Sequence, residues 1–258
     1  MSNVVLERDG HLAVLTVNRP QQLNCFDYAT LVELGEITES LRTDRGIRTI
    51  IVTGAGEKAF SAGADLKERR TLREHEVQRN VNKIRSVFSM IEELPQPTIA
   101  AVNGYALGGG FELALACDFR YAADHAIIGL PEVSMAIIPG GGGTQRLTRL
   151  IGPSRAKELI LTARRLSAVD AAKLGIINKV TSSNHLMASA RELADEINQN
   201  APLAVTQAKF AIDQGCNTDI HTGMAIEAKA YEVIIPTEDR TEALEAFKEK
   251  RKPTFKGK

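Results

Sequence analysis

Two glutamates stand where a carboxylate is out of keeping with its neighbours. Glu112 lies in Phe111-Glu112-Leu113-Ala114-Leu115-Ala116, and Glu132 follows Pro131 among Ile128, Leu130, Val133, Met135, Ile137 and Ile138. An unpaired charge in such surroundings is costly. Burial also raises a carboxyl pKa toward neutrality, where the group becomes useful for moving protons. Taken singly, each glutamate is more often a charge partner at a helix end. Taken together, beside glycine turns, they suggest a paired acid and base.

Three glycine-rich turns accompany them: Ala62-Gly63-Ala64-Asp65, Leu107-Gly108-Gly109-Gly110-Phe111-Glu112 and Pro139-Gly140-Gly141-Gly142-Gly143-Thr144. Residues this small leave backbone N–H groups open to close approach. At a helix N-terminus such groups can hold an oxyanion. The plainer reading of any one of them is a sharp turn from strand into helix.

Other chemistries find little support. The GxSxG, HExxH and P-loop signatures and a GxGxxG after a strand are absent, and the five histidines show no ligand-like spacing. Cys25, Cys117 and Cys216 form no CxxC pair, a pattern that suits reduced thiols and a cytoplasmic location. With 32 Lys+Arg against 32 Asp+Glu, no global field gathers nucleic acid or an anionic membrane surface. Neither a secretion signal nor an apolar run long enough to span a bilayer is present, so no membrane partner is expected.

The positioning elements read as α/β. A hairpin turns at Asp9-Gly10, and the apolar positions Leu31, Leu34, Ile37 and Leu41 predict an amphipathic helix over 27–41. Strands are expected at 49–53, 98–102, 119–122, 126–129 and 176–180. Residues 60–65 read as a turn. Helices are expected at 66–73, 76–93, 111–116, 144–151, 154–162 and 168–174, and everything from 185 to 250 reads as helical. Interleaved strands and helices followed by a helical tail divide the chain into a core of residues 1–195 and a C-terminal helical subdomain of residues 196–258.

The motifs resemble the enoyl-CoA hydratase/isomerase (crotonase) family across nearly the whole chain. The resemblance is carried by Asn18-Arg19-Pro20 with Leu23-Asn24, Phe60-Ser61-Ala62-Gly63-Ala64-Asp65-Leu66-Lys67-Glu68, the run from Ala101 to Leu113, and the run from Ile138 to Leu147. The closing Phe247-Lys248-Glu249-Lys250-Arg251-Lys252-Pro253 is also similar to the family's C-terminus. It implies a crotonase-like spiral of ββα units whose C-terminal helices trimerise, giving a homotrimer or homohexamer. It further implies no prosthetic group, with coenzyme A entering as part of an acyl-CoA substrate.

By the same resemblance, the backbone N–H groups of Ala64 and Gly109 hold the thioester oxygen, and that of Gly140 helps hold the reacting water. Glu112 deprotonates that water and Glu132 protonates the α-carbon, a syn hydration giving 3-hydroxyacyl-CoA. Ala62 matches a contact to the adenine, while Gln22, Leu23 and Lys67 lie where the pantetheine and phosphates pass. Arg19, Lys248 and Lys252 are within the same implied reach, although solvated surface charge is the plainer reading.

Both glutamates are retained, which argues for hydration over the alternative of an enoyl-CoA isomerase. Residues 64–69 and 137–144 are most similar to the 3-methylglutaconyl-CoA hydratases of leucine breakdown, whose distal carboxylate would call on Arg69, Arg70 or Arg73. The acyl chain is expected to run past Leu66 toward 133–137. Some such hydratases bind RNA through a lysine-rich helix face, but Tyr28 to Glu39 is acidic here. An RNA-binding protein is therefore disfavoured, as is an inactive oligomeric scaffold that has lost the activity.

Overall fold

The computed structural model describes residues 2–258. The chain opens with β1 (Val4–Asp9) and β2 (Leu12–Val17), paired antiparallel across the expected turn. Helix α1 (Tyr28–Arg42) follows, with the Asp27 side chain accepting from the Thr30 N–H at its start. Leu31, Leu34 and Leu41 are the buried stripe of that helix.

The next stretch repeats one scheme: a strand, a second short strand, then helix. It runs β3 (Thr49–Gly54), β4 (Ala59–Ser61), α2 (Leu66–Arg69) and α3 (Glu74–Glu92). Then come β5 (Thr98–Val102), β6 (Tyr105–Leu107) and α4 (Gly109–Ala116). The third pass is β7 (Phe119–Ala123), β8 (Ile127–Gly129), a 3-10 turn at Glu132–Met135, α5 (Gly143–Ile151) and α6 (Pro153–Leu161). After these lie β9 (Arg165–Ser167), α7 (Ala168–Lys173), β10 (Lys179–Thr181) and α8 (Leu186–Asn198). The chain closes with α9 (Pro202–Gly215), α10 (Ile220–Ile234) and α11 (Glu238–Glu249).

Two sheets collect these strands. The larger has the order β1-β2-β3-β5-β7-β10 and the smaller β4-β6-β8-β9. Within the larger, β2 through β10 are parallel, so every step requires a crossover; from β3 onward each crossover includes a short strand of the second sheet, while that from β2 to β3 is made by α1. Each pass advances by one strand in both sheets, which is the expected spiral of ββα units. β3 and β5 are buried at every position, as central parallel strands must be.

The short strands β4, β6 and β9 were not expected from the sequence, where residues 60–65 read as a turn. Three residues are too few to show an alternation of period two. The strand expected at 176–180 begins only at Lys179. The Ile176 carbonyl accepts from Arg120 Nε at 2.8 Å, and the Arg120 amide donates to Asn178 Oδ1 at 2.9 Å. One backbone bond to β7 remains there, from the Asn178 N–H to the Arg120 carbonyl at 2.9 Å, and side chains supply the others. The helix expected over 66–73 stops at Arg69.

Arg120 also donates to the Cys117 carbonyl at 2.6 Å, just beyond the end of α4, and is only 6% exposed. Arg120→Met strips several buried carbonyls of their donor at once. It should destabilise the fold by about 2–4 kcal/mol, read as a lower urea midpoint with an unchanged slope at fixed protein concentration.

Candidate active site

Helix α4 is buried along its whole length, and Glu112 sits in its first turn at 2% exposure. Its Oε1 accepts the N–H of Gly141 and the N–H of Gly143, each at 2.8 Å. Space is tight at both donors, and tightest at Gly141. A Cβ on Gly141 would stand 2.7 Å from Glu112 Oε2 and 2.8 Å from Ile84 Cγ2, and one on Gly143 would stand 3.0 Å from Glu112 Cγ. Burial pushes the Glu112 pKa up, while the two backbone donors and the positive charges of Arg146 and Arg85 pull against it.

Glu132 begins the 3-10 turn and is 9% exposed. Its Oε2 is buried and has no hydrogen-bond partner among the described residues. Its Oε1 faces the start of α4: a Cβ on Gly108 would stand 3.1 Å from it. Burial first, and the negative charge of Glu112 in addition, push the Glu132 pKa up to about 7; its own backbone N–H and Arg69 oppose the rise. The two carboxyl groups lie near enough for the charge of Glu112 to act on Glu132.

The amides of Ala64 and Gly109 stand side by side. A Cβ on Gly109 would lie 3.7 Å from the Ala64 nitrogen, and one on Gly63, at φ +95°, would lie 3.0 Å from the Gly109 nitrogen. Neither N–H has a backbone acceptor among the described residues, and the same holds for Gly140. The turn is fixed from one side by the segment after Pro20. Phe26 N–H donates to Gly63 O at 2.8 Å, Asp65 N–H to Phe26 O at 2.9 Å, and Ala62 N–H to Leu23 O at 3.0 Å. Asn24, fully buried, ties that segment to Ala55 and Ala59 through their carbonyls.

A narrow cleft of about 20 Å³ opens beside Ala64. Its walls include Phe26, Leu31, Leu72, Val77, Val81 and Ile84, with Arg69 and Glu68 at its polar edge. Ile84 lines this cleft and also stands beside the Gly141 backbone that donates to Glu112, whereas Gly109, Glu112 and Glu132 are not among its walls. Residues 133–137 do not line it.

The remaining candidates separate. Gln22, Leu23 and Lys67 are exposed, and the Ala62 N–H is used by the Leu23 carbonyl. Arg19 is withdrawn from any phosphate role. Its guanidinium pairs with Asp27 at 3.0 Å and Asp65 at 3.1 Å and donates to Cys25 O at 2.7 Å. Arg73 is engaged with Glu76, and Arg70 is exposed, so of the three arginines Arg69 is the one that lines the cleft. Lys248 and Lys252 are exposed near the C-terminus.

A family model described as enoyl-CoA hydratase/isomerase matches residues 7–258. The chain belongs to that family. It is 45% identical over 252 residues to a short-chain-enoyl-CoA hydratase of Clostridium acetobutylicum, covering 98% of this chain and 97% of the relative. It is 48% identical over 255 residues to a human mitochondrial methylglutaconyl-CoA hydratase, covering 97% of this chain and 75% of the relative. Its structure matches the crystal structure of an enoyl-CoA hydratase from Bacillus anthracis with a TM-score of 0.98 at 50% identity, covering 99% of this chain and 100% of that one. The crotonase-like α/β fold is therefore present.

Sequence reasoning about this member of the enoyl-CoA hydratase/isomerase family overlooked the donors to Glu112. The glycine run was read as a helix entry with one useful amide at Gly140, whereas Gly141 and Gly143 form the carboxylate's cradle. It overlooked Arg146 as well, which donates to Gly141 O at 2.7 Å. The available signal was an arginine three residues into a helix that follows four glycines.

Because the Glu132 pKa in the folded chain lies above its ordinary 4.5, the folded form holds that proton more tightly than the unfolded one. Its contribution to stability is full below about pH 4.5 and is lost as pH rises through about 7. Glu132→Gln escapes that loss. Its thermal midpoint should exceed wild type at pH 8, by at most about 3 kcal/mol in stability, with the gain shrinking toward pH 5. Equal midpoints at pH 8 would contradict the environment described for Glu132.

Proposed function

We propose that the chain is an enoyl-CoA hydratase, adding water syn across the double bond of a 2-enoyl-CoA thioester. The observation that carries this reading is the contrast between two neighbouring carboxyl groups. Burial raises the pKa of both, but Glu112 accepts two backbone donors that offset part of that rise, whereas Glu132 has an unpartnered oxygen and a pKa of about 7. One is suited to take a proton and the other to give one.

In this reading the thioester oxygen lies against the Ala64 and Gly109 N–H groups. Water, held also by the Gly140 N–H, adds its oxygen to the β-carbon while Glu112 accepts its proton. The double-bond electrons move onto the thioester oxygen as an enolate, stabilised by the two amides, one such donor being worth roughly 100- to 1,000-fold in rate. The enolate then takes the Glu132 proton at the α-carbon. The proton gained by Glu112 must return to Glu132 before the next turnover, so the pair titrates jointly.

Coenzyme A arrives as part of the substrate, and no prosthetic group is invoked. Its adenine is assigned to the Ala62 carbonyl and its pantetheine and phosphates to the side bearing Gln22, Leu23 and Lys67. A second substrate, 3-methylglutaconyl-CoA, is favoured by Arg69 at the cleft edge, where it can meet a distal carboxylate, and the human relative is named for that substrate.

The oligomer is proposed to be a homotrimer or homohexamer built through the helical region 196–258 on the core 1–195. Phe210, Ile212, Ile220, Met224, Tyr231 and Phe247 are exposed there, a density of apolar side chains that favours burial against further copies. A cytoplasmic setting agrees with three free cysteines. No described helix is long and apolar enough to cross a membrane.

Purified protein should hydrate crotonyl-CoA, and Glu112→Gln and Glu132→Gln should each lower kcat by about 100- to 10,000-fold. A wild-type protein that only moves the double bond would make it an isomerase. For wild type, kcat/KM should fall as pH rises past about 7, where Glu132 loses its proton. The relative rates with crotonyl-CoA and 3-methylglutaconyl-CoA, and the effect of Arg69→Met on the second alone, decide the substrate. Light scattering should give three or six times 28.0 kDa.

A further inference from the structure

Arg146 occupies a place that helix electrostatics disfavour. It lies in the first turn of α5, where the exposed N–H groups carry partial positive charge and no acidic residue offsets them. Its guanidinium is nonetheless well ordered by contacts. Nε donates to Glu92 Oε1 at 2.9 Å, one terminal nitrogen to Glu92 Oε2 at 2.6 Å, and the other to Gly141 O at 2.7 Å. The side chain is 12% exposed, against 46% for Glu92.

The consequence follows from peptide geometry. In a trans peptide unit the carbonyl of one residue and the N–H of the next are locked in one plane and point oppositely. Three successive units lead from Gly140 to Gly143. The first joins Gly140 O to Gly141 N–H, and its carbonyl receives Arg85 Nε at 3.3 Å. The last joins Gly142 O to Gly143 N–H, and its carbonyl receives the Gln145 and Arg146 N–H groups at 3.0 and 2.9 Å. The middle unit carries Gly141 O, which Arg146 grips. The N–H groups of the outer two units are those that reach Glu112. Glycines have little torsional preference of their own, so the middle unit needs an external hold if its neighbours are to stay aimed.

We infer that Arg146, seated on Glu92, is a positioning residue for Glu112: by holding the Gly141 carbonyl outward it keeps the Gly141 and Gly143 amide hydrogens directed at that carboxylate. This deepens the hydratase reading, on which its kinetic consequences rest, but the geometric claim concerns the substrate-free protein. Glu92 is the seat because a bidentate carboxylate fixes the plane of the guanidinium. Lys209 in turn donates to the Glu92 carbonyl at 3.3 Å, so the seat itself is anchored by α9.

The test separates aim from charge. The Glu112 carboxyl is titrated by 13C NMR in substrate-free protein labelled at glutamate Cδ, with its signal assigned by loss in Glu112→Gln. Arg146→Met should raise the Glu112 pKa by about one unit, and Arg146→Lys, which keeps the charge without the fork, should follow Met. Glu92→Ala is decisive in sign. A field effect alone predicts a lower Glu112 pKa, because a negative charge is removed, whereas loss of aim predicts a higher one. With crotonyl-CoA, Arg146→Met should lower kcat by about 10- to 100-fold with KM changed little. A wild-type-like titration in Arg146→Lys, or an unchanged or lowered pKa in Glu92→Ala, overturns the inference. Wild type inert toward enoyl-CoA with the titration shifts intact overturns the hydratase reading and leaves the positioning role standing.

Discussion

A carboxylate placed inside an apolar helix has to find donors there, because burial strips away most of its hydration and an unpaired charge would cost several kcal/mol. Glu112 meets that demand with two backbone N–H groups from a loop remote in sequence. The loop carries no side chains at Gly141 and Gly143, where a Cβ would stand 2.7 Å and 3.0 Å from the nearest atoms of the glutamate. Much of the neighbourhood follows from this one contact. The glycine run must lie across α4, α3 must present Ile84 and Phe88 behind it, and the arginines must hold the loop's carbonyls away.

The same constraint divides labour between two chemically identical side chains. Donors offset part of the burial effect on Glu112, while Glu132 meets burial with one oxygen unpartnered and a neighbouring negative charge. Environment, not residue type, sets their difference. The spiral makes such a meeting possible. Each pass delivers the C-terminal end of one short parallel strand to the same side, so the turn after β4, the turn after β6 and the segment after β8 arrive side by side. Ala64, Gly109 and Glu132 come from these three passes.

Polar contacts then tie the elements that carry the site to the rest of the molecule. Asn24 and Arg19 fasten the segment after β2 to the Ala62–Asp65 turn. Arg120 holds the end of α4 to the segment before β10. Lys209 of α9 pairs with Asp118 and reaches the Glu92 carbonyl, linking the terminal helices to the far end of α3. These are buried or half-buried pairs with several partners each. Their value lies in orientation as much as in stability, since removing one partner leaves a desolvated group behind.

The alternation of β-branched strands with amphipathic helices made the α/β class and the long elements legible, because α1, α3 and the buried strands β3 and β5 carry strong periodic or continuous apolar patterns. The odd carboxylates and the glycine turns were legible too, as residue types at variance with their neighbours. The three-residue strands of the second sheet were not, for a pattern that short holds no period. Nor was the use of the third glycine run, since hydrogen-bond direction depends on peptide orientation and not on composition. Local sequence thus determined which residues were available for chemistry and which segments would be strand or helix. Tertiary structure decided that Glu112 and Glu132 lie near enough for the charge of one to act on the other, that Gly141 and Gly143 donate to the first of them, and that Arg19 pairs with Asp27 and Asp65. Those outcomes depend on distances between segments far apart in the chain, which only the folded packing sets.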